Sequence, residues 1–179
     1  MSTLPDGLVV FAKRDCPTCV LVAPVLRDLA SRTDLTVFSQ DDPAFPDGVS
    51  NVVDDSGLEQ SFRQNIEIVP TLIRVEGGRE VARTYGWDRD EWRAISGSNA
   101  LGDGLPASRP GCGSKSLEPG IAEELALRFG KLRLAARQIE ISDLEDAAEA
   151  CFERGWTDGL PVVPPTPARV LRMLQGTSR

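Results

Sequence analysis

The 179-residue sequence predicts an α/β domain in its N-terminal half, followed by a mainly helical extension. In residues 6–96, apolar runs of strand length alternate with segments of helical spacing in the order β-α-β-α-β-β-α. That order and length are typical of one small α/β domain. Residues 97–119 are then rich in glycine and proline, and amphipathic segments recur in residues 120–179.

The first strand and helix have the clearest signals. Residues 8–11 (LVVF) form a short apolar run, which predicts a buried strand. Cys16 and Pro17 then open a segment whose apolar residues recur at helical spacing up to about Ser31. We expect a second strand at residues 35–38 and a polar loop after it.

The remainder of the domain is predicted from caps and alternation. A short helix is expected at residues 56–64, with Ser56 as its N-cap. Residues 71–75 and 80–85 alternate in polarity and are joined by a glycine-containing turn, which predicts a β-hairpin. A last short helix fits residues 88–95.

The second half of the chain has weaker signals. Composition leaves open whether residues 97–119 are a linker or an ordered glycine-rich loop. Apolar residues at helical spacing predict a helix over residues 121–139. A further helix is predicted from the cap Ser142 to about Arg154. The end of the chain predicts a short amphipathic stretch over residues 167–174.

Composition excludes several classes of partner. The chain has 20 basic and 27 acidic residues, a net charge of −7, so it lacks the broad positive charge that nucleic acid requires. No window approaches the roughly 20 apolar residues of a membrane span, and no membrane partner is expected. The first fifteen residues do not resemble a signal peptide, so we expect a cytoplasmic protein.

Histidine is absent from the sequence. This excludes a Ser-His-Asp or Cys-His centre, and any imidazole metal ligand, built from this chain alone. The remaining scarce reactive residue is cysteine, which is too rare here for a disulfide-dense secreted scaffold. The four cysteines are Cys16, Cys19, Cys112 and Cys151.

The pair Cys16 and Cys19 carries the strongest chemical signal. A CxxC where a strand meets a helix puts the first sulfur at the helix N-terminus, where free N–H groups stabilise a thiolate. Cys16 would attack a substrate disulfide, and Cys19 would resolve the mixed disulfide. An isolated CxxC also occurs in zinc knuckles, but the other two cysteines are single, so we expect no metal site.

Several separated features resemble the thioredoxin superfamily. The motif CPTC follows the strand LVVF, Pro24 lies where that superfamily kinks this helix, and Ile68-Val69-Pro70-Thr71 is similar to its cis-proline motif. The resemblance covers about half of the chain. It implies a thioredoxin-like fold, in which a central mixed sheet is flanked by helices, over residues 1–96.

The same resemblance implies the site. The peptide bond before Pro70 would be cis and would lie beside Cys16, with substrate-binding residues Val69, Pro70 and Thr71. No bound metal or organic cofactor is implied. The partners would be a disulfide substrate, on a protein or a small molecule, and an external thiol reductant or oxidant.

Two positions depart from the thioredoxin pattern. Asp15 precedes the first cysteine where thioredoxins usually have tryptophan, and Val10 stands in place of a buried aspartate. Deprotonation of Cys19 would then need water or another base. Asp15 and Lys13 are both candidate accessory residues. Lys13 gives the pattern KxxCPxC, which is similar to that of glutaredoxins and makes glutathione a candidate partner.

Three features lie outside that pattern. Cys112 is either a free loop cysteine or a third redox cysteine that exchanges with Cys16 or Cys19, or covers the site with its loop. Cys151 fits an apolar helical pattern and is predicted to be a small core residue. Residues 156–174 resemble the opening stretch of UGSC family proteins, or are a proline-rich tail.

Together these features predict a thiol-disulfide oxidoreductase. One alternative is a non-catalytic redox-sensing or docking module, in which the C-terminal extension, residues 120–179, binds a partner protein. The other is a glutaredoxin-like reductase that depends on glutathione.

Overall fold

The computed structural model describes four stretches of the chain, residues 4–131, 134–137, 139–142 and 145–177. The chain divides into two compact units, Met1–Ala122 and Glu123–Arg179, called here the first and second units. Residues 97–119 therefore lie in the same compact unit as the predicted α/β domain.

The first unit is built on a five-stranded mixed sheet with the strand order β3-β2-β1-β5-β6. Strand β1 runs parallel to β2 and antiparallel to β5, and β2 runs parallel to β3. In chain order, the strands are β1 (Gly7–Ala12), β2 (Leu35–Ser39), β3 (Val52–Asp54), β4 (Ile68–Val69), β5 (Thr71–Glu76), β6 (Arg79–Tyr85), β7 (Trp87–Asp88), β8 (Ser108–Arg109) and β9 (Cys112–Gly113).

Helices flank this sheet, and the predicted thioredoxin-like α/β fold is confirmed. The first unit contains α1 (Pro17–Arg32), α2 (Glu59–Arg63) and α3 (Arg89–Ser96), and α4 (Ile121–Phe129) begins at its end. The second unit contains α5 (Ala147–Glu153) and α6 (Pro167–Gln175). No helix within the described ranges combines the length and the apolar character needed to cross a membrane.

The core of the first unit lies between α1 and the sheet. One face of α1 buries Val22, Val25, Leu26 and Leu29, which recur at helical spacing. Strand β1 is buried along almost its whole length, as expected for a central strand covered on both faces. Each buried aliphatic side chain stabilises the fold by about 1.5–3 kcal/mol, so this layer fixes where Cys16 lies.

Two local predictions in the first unit are corrected. Residues 52–54 form the edge strand β3 rather than a loop, because their backbone completes the ladder of β2 although two of the three side chains are exposed. Helix α2 begins at Glu59 instead of near Ser56. The carboxylate of Asp55 accepts the N–H groups of Gln60 and Ser61, which supplies the cap.

The helices of the second unit are shorter than predicted. Helix α4 ends at Phe129, just before Gly130, and residues 134–137 are not helical. Helix α5 starts after Asp146, whose carboxylate accepts the N–H groups of Ala148 and Glu149, so Ser142 is not its cap. Residues 132–133, 138 and 143–144 of the predicted helices lie outside the described residues. The predicted helix at residues 167–174 is confirmed as α6.

The glycine-rich segment after α3 is ordered and packs on the first unit. Leu101 is buried, and the indole N–H of Trp87 donates a hydrogen bond of 2.7 Å to the Pro106 carbonyl. Strand β8 pairs with β7, and β9 pairs with β4. We call residues 108–116 the strap, because they run along the end of the sheet beside the start of α1.

Candidate active site

Cys16 is the N-cap residue of α1 and follows the central strand β1. Its backbone is extended, with φ −144° and ψ 112°, and its Sγ accepts the backbone N–H of Cys19 at 3.3 Å. Pro17 occupies the first helical position, where its lack of an N–H group costs nothing. The sulfur therefore lies where the free N–H groups and the dipole of α1 favour a negative charge.

The two sulfurs of the CxxC motif differ in acidity. Hydrogen bonds from Cys19 and Cys112 lower the pKa of Cys16 to about 5, against the opposing effect of burial. Burial, and then the neighbouring Cys16 sulfur, raise the pKa of Cys19 well above its ordinary value. At neutral pH these shifts favour a thiolate at Cys16 and a protonated thiol at Cys19.

Of the substrate-binding residues inferred from the resemblance, Val69 lies against the Cys16 sulfur. Val69 is buried, and its carbonyl oxygen lies 3.5 Å from Cys16 Sγ. The peptide bond between Val69 and Pro70 is cis. Thr71 begins β5 and donates its hydroxyl hydrogen to the carbonyl of Ile68 at 2.6 Å. The loop from Ile68 to Thr71 therefore forms one wall of the site.

Cys112 joins the CxxC pair in a cluster of three cysteines. Strand β9 runs antiparallel to β4, with Cys112 opposite Val69 and Gly113 opposite Ile68. Cys112 Sγ lies 2.8 Å from Cys16 Sγ, and neither cysteine is in a disulfide bond. Cys112 is partly exposed, and burial together with the Cys16 sulfur raises its pKa. Of the two alternatives for this residue, the free loop cysteine is the one that this geometry disfavours.

The strap is held against the site at several points. Thr18, the third residue of the CPTC motif, donates its hydroxyl hydrogen to the Pro110 carbonyl at 2.7 Å. Gly111 passes so close to β4 that a Cβ there would overlap Ile68 and lie 2.6 Å from the Val69 oxygen. Gly86 is equally constrained, since its φ is 68° and a Cβ would lie 2.7 Å from the Gly111 nitrogen. Glycine is therefore required where the strap crosses the cis-proline loop.

A buried polar network fixes the end of the strap. The Gln40 amide donates to the hydroxyls of Ser61 and Ser114, each at 2.7 Å, and its oxygen accepts the N–H of Lys115. Ser116 in turn donates to the Ile66 carbonyl at 2.8 Å. Gln40 directly follows β2, and Ser61 lies in α2, so the hydrogen bonds join the end of the strap to both elements.

The loop before Cys16 is shaped by an acidic residue that the sequence did not single out. The Asp41 carboxylate accepts the backbone N–H groups of Arg14 and Asp15, at 2.7 and 2.9 Å. Asp15 is exposed, whereas Lys13 is buried and its backbone N–H contacts the Cys19 sulfur. Strand topology could have indicated Asp41. Strands β1 and β2 are parallel neighbours, so the loops that follow them meet at the same end of the sheet.

The remaining candidates lie apart from this cluster or have a packing role. Val10 is buried at the centre of β1, where thioredoxins have an aspartate, and gives Cys19 no acidic neighbour. Trp87 packs edge-on against Trp92 and does not line an open groove. Cys151 is buried in α5, in the second unit, beside a cavity of about 470 Å³. Within the described residues, no group of three or more Cys, Asp or Glu side chains is arranged to hold a metal ion.

Comparison with known proteins finds similarity in the N-terminal half. Residues 5–84 match the family model described as TraF: F plasmid transfer operon protein. Thioredoxin H2-2 of Oryza sativa subsp. japonica is 31% identical over 90 residues, which cover 49% of this chain and 58% of that protein. The chain thus spans less than two thirds of that relative. The resemblance of residues 156–174 to the UGSC family has no counterpart in these matches and stays a prediction.

Proposed function

We propose that the chain is a thiol-disulfide oxidoreductase of the thioredoxin superfamily that uses Cys16 and Cys19. One observation carries the proposal. The Cys16 sulfur caps helix α1, with a pKa lowered to about 5, and faces the carbonyl of Val69 at the cis-proline loop. This arrangement places a reactive nucleophile beside the backbone of the cis-proline loop.

The first step forms a mixed disulfide. The Cys16 thiolate attacks one sulfur of a substrate disulfide, the substrate S–S bond breaks, and the departing sulfur leaves as a thiolate that takes a proton from solvent. The N–H of Cys19 and the N-terminus of α1 stabilise the thiolate before attack. The lowered pKa therefore keeps Cys16 in its reactive form at neutral pH.

The second step releases the substrate. Cys19 loses its proton and attacks Cys16 Sγ, which forms the Cys16–Cys19 disulfide and frees the second substrate thiolate. Two electrons pass from the protein dithiol to the substrate, and an external thiol restores the dithiol. Since Val10 provides no carboxylate, the proton of Cys19 passes to water, and we propose that this step limits turnover.

The partners and location belong to the same proposal. We propose that the substrates are protein or small-molecule disulfides and that the reductant or oxidant is an external thiol in the cytoplasm. A redox-sensing module is the second candidate, and one observation favours it: the strap occupies the edge of β4 that a substrate strand would use. A glutathione-dependent reductase stays a prediction, and saturable glutathione binding is its test.

The test is reduction of insulin disulfides by the full chain with dithiothreitol as electron donor. Cys16→Ser should abolish the activity, because it removes the nucleophile, whereas Cys19→Ser should slow it, because it removes the buried resolving thiol and prolongs the mixed disulfide with insulin. Cys151→Ser, in the second unit, is the matched control and should retain activity. Undiminished insulin reduction by Cys16→Ser would overturn the proposal. A disulfide that alters partner binding without turnover would favour the sensing module.

A further inference from the structure

The strap has the position and direction that a bound substrate strand would have. It pairs antiparallel with β4 directly before Pro70, and the residue opposite Val69 is a cysteine. A peptide disulfide substrate would need these same features: an extended backbone on the β4 edge, with its sulfur over Cys16. The strap therefore resembles an extended peptide substrate that is bound within the chain itself.

We propose that Cys112 is a third redox-active cysteine, presented to Cys16 by this internal strand, and that the protein forms a Cys16–Cys112 disulfide. The inference rests on the proposed function, since it needs Cys16 to be the nucleophile. Its direct support is the distance of 2.8 Å between the two sulfurs. They need to approach by less than about 1 Å to reach the disulfide bond length of about 2.05 Å.

Contacts on both sides of Cys112 hold it at this point. Thr18 binds the Pro110 carbonyl two residues before it, and the Ser114 N–H donates to the Glu67 carbonyl two residues after it. The Gln40 side chain also donates a hydrogen bond to the hydroxyl of Ser114 and holds that residue in place. A loop cysteine held on both sides meets its partner far more often than a free thiol in solution does, which raises the rate of exchange.

Formation of the Cys16–Cys112 disulfide needs one external reactant, a disulfide oxidant such as oxidised glutathione. The Cys16 thiolate attacks glutathione disulfide, which gives a Cys16–glutathione mixed disulfide and one glutathione thiolate. Cys112 then loses its proton to solvent and attacks Cys16 Sγ, which forms the Cys16–Cys112 disulfide and releases the second glutathione. Two electrons have passed from the two cysteine thiols to glutathione disulfide.

Cys19 can then complete an isomerisation. Its sulfur, once deprotonated, attacks Cys16 Sγ, forms the Cys16–Cys19 disulfide and returns Cys112 to a thiolate, with no net oxidation. Cys112 is partly exposed and Cys19 is buried, so Cys112 has the easier route for its proton to solvent. We therefore expect Cys112 to resolve small mixed disulfides at Cys16 even when Cys19 is absent.

The test uses full-length Cys19→Ser treated with oxidised glutathione, quenched in acid and analysed by intact mass and peptide mapping. We expect a Cys16–Cys112 disulfide and no lasting glutathione adduct. Cys19→Ser/Cys112→Ser should instead retain glutathione on Cys16, and Cys19→Ser/Cys151→Ser, the matched control, should resolve it. A glutathione adduct that persists equally in Cys19→Ser and in Cys19→Ser/Cys112→Ser overturns the inference.

A pair of glycine variants tests whether the strand presents Cys112. In the Cys19→Ser background, Gly111→Ala should displace the strap, because its Cβ would meet Ile68 and the Val69 oxygen, and the adduct should then persist. Gly113→Ala has nothing within 4 Å of its Cβ and should resolve the adduct as the parent does. Should Gly111→Ala prove unfolded by circular dichroism, Thr18→Val replaces it and should slow resolution.

The two proposals fail separately. Loss of insulin reduction in Cys16→Ser, together with an unresolved adduct in Cys19→Ser, would leave the oxidoreductase standing and remove the role of Cys112. Full insulin reduction by Cys16→Ser would remove the oxidoreductase itself. Equal resolution rates in the Gly111→Ala and Gly113→Ala variants would overturn presentation of Cys112 by the strand.

Discussion

Gln40 donates a hydrogen bond of 2.7 Å to the hydroxyl of Ser114, a residue 74 positions later in the chain. Both side chains are buried, and the Gln40 oxygen also accepts the N–H of Lys115. A buried amide with these partners stabilises one arrangement of the strap, since each group would lose a hydrogen bond in any other. The position of Cys112 therefore depends on a residue at the end of β2.

Gln40→Ala should destabilise the first unit and loosen the strap. The substitution leaves the hydroxyls of Ser61 and Ser114 and the Lys115 N–H with fewer partners, at a cost of about 1–3 kcal/mol. Urea unfolding of the reduced protein measures this loss, and limited proteolysis should cut the strap faster. Gln175→Ala, at an exposed position of α6, should change stability by less than about 0.5 kcal/mol. Equal effects of the two variants would contradict the anchoring role of Gln40.

Thr18→Val should increase the opening of the strap with little change in packing volume. It removes the donor to the Pro110 carbonyl, a net hydrogen bond of about 0.5–1.5 kcal/mol, so opening should rise roughly two- to tenfold. Hydrogen–deuterium exchange of the peptide that contains Cys112 measures this change. Thr33→Val removes a comparable hydroxyl bond at the other end of α1 and serves as the control. Unchanged exchange in Thr18→Val would show that the strap does not depend on this contact.

The reactivity of Cys16 should persist to low pH. Its pKa is lowered from the ordinary 9.0 to about 5, so the thiolate predominates above that pH and is lost as pH falls through it. The rate of Cys16 alkylation by iodoacetamide should therefore be nearly constant from about pH 6 upward and should fall about tenfold per pH unit below about 5. Mass spectrometry of the Cys16 peptide follows the rate.

Two comparisons give that pH profile its meaning. The protein unfolded in urea should show a midpoint near the ordinary thiol pKa of 9.0, because the helix terminus and its neighbours are gone. Cys112→Ala should move the folded midpoint upward, since it removes one of the hydrogen bonds that lower the Cys16 pKa. Coincident midpoints for folded and unfolded protein would refute an activated Cys16.

Gly102→Ala should destabilise the first unit more than Gly104→Ala. Both glycines have positive φ, 72° and 87°, so both substitutions strain the backbone. Only the Cβ at residue 102 would overlap the ring of Trp87, and overpacking of this kind costs about 1–3 kcal/mol. Urea unfolding followed by tryptophan fluorescence measures the difference. Equal stabilities would mean that residues 101–105 do not pack on Trp87.

Much of the fold follows from local sequence signals. The strand at residues 8–11, the helix from Pro17, the hairpin around residues 77–78 and the helix at residues 167–174 are predicted close to their observed bounds. Each depends on apolar spacing or a turn, which neighbouring residues determine. Strand β3 and the start of α2 escape such signals, because one is held by pairing with β2 and the other by the carboxylate of Asp55.

Local sequence features predict the candidate chemistry: the lack of histidine and the spacing of Cys16 and Cys19 at a strand-helix junction point to thiol exchange. The number of sulfurs in the site, in contrast, follows from long-range contacts. Cys112 lies 96 residues from Cys16, and it arrives there through strand pairing, glycine contacts and the Gln40 network. Those interactions join residues far apart in the chain, and so no local pattern around Cys112 encodes them.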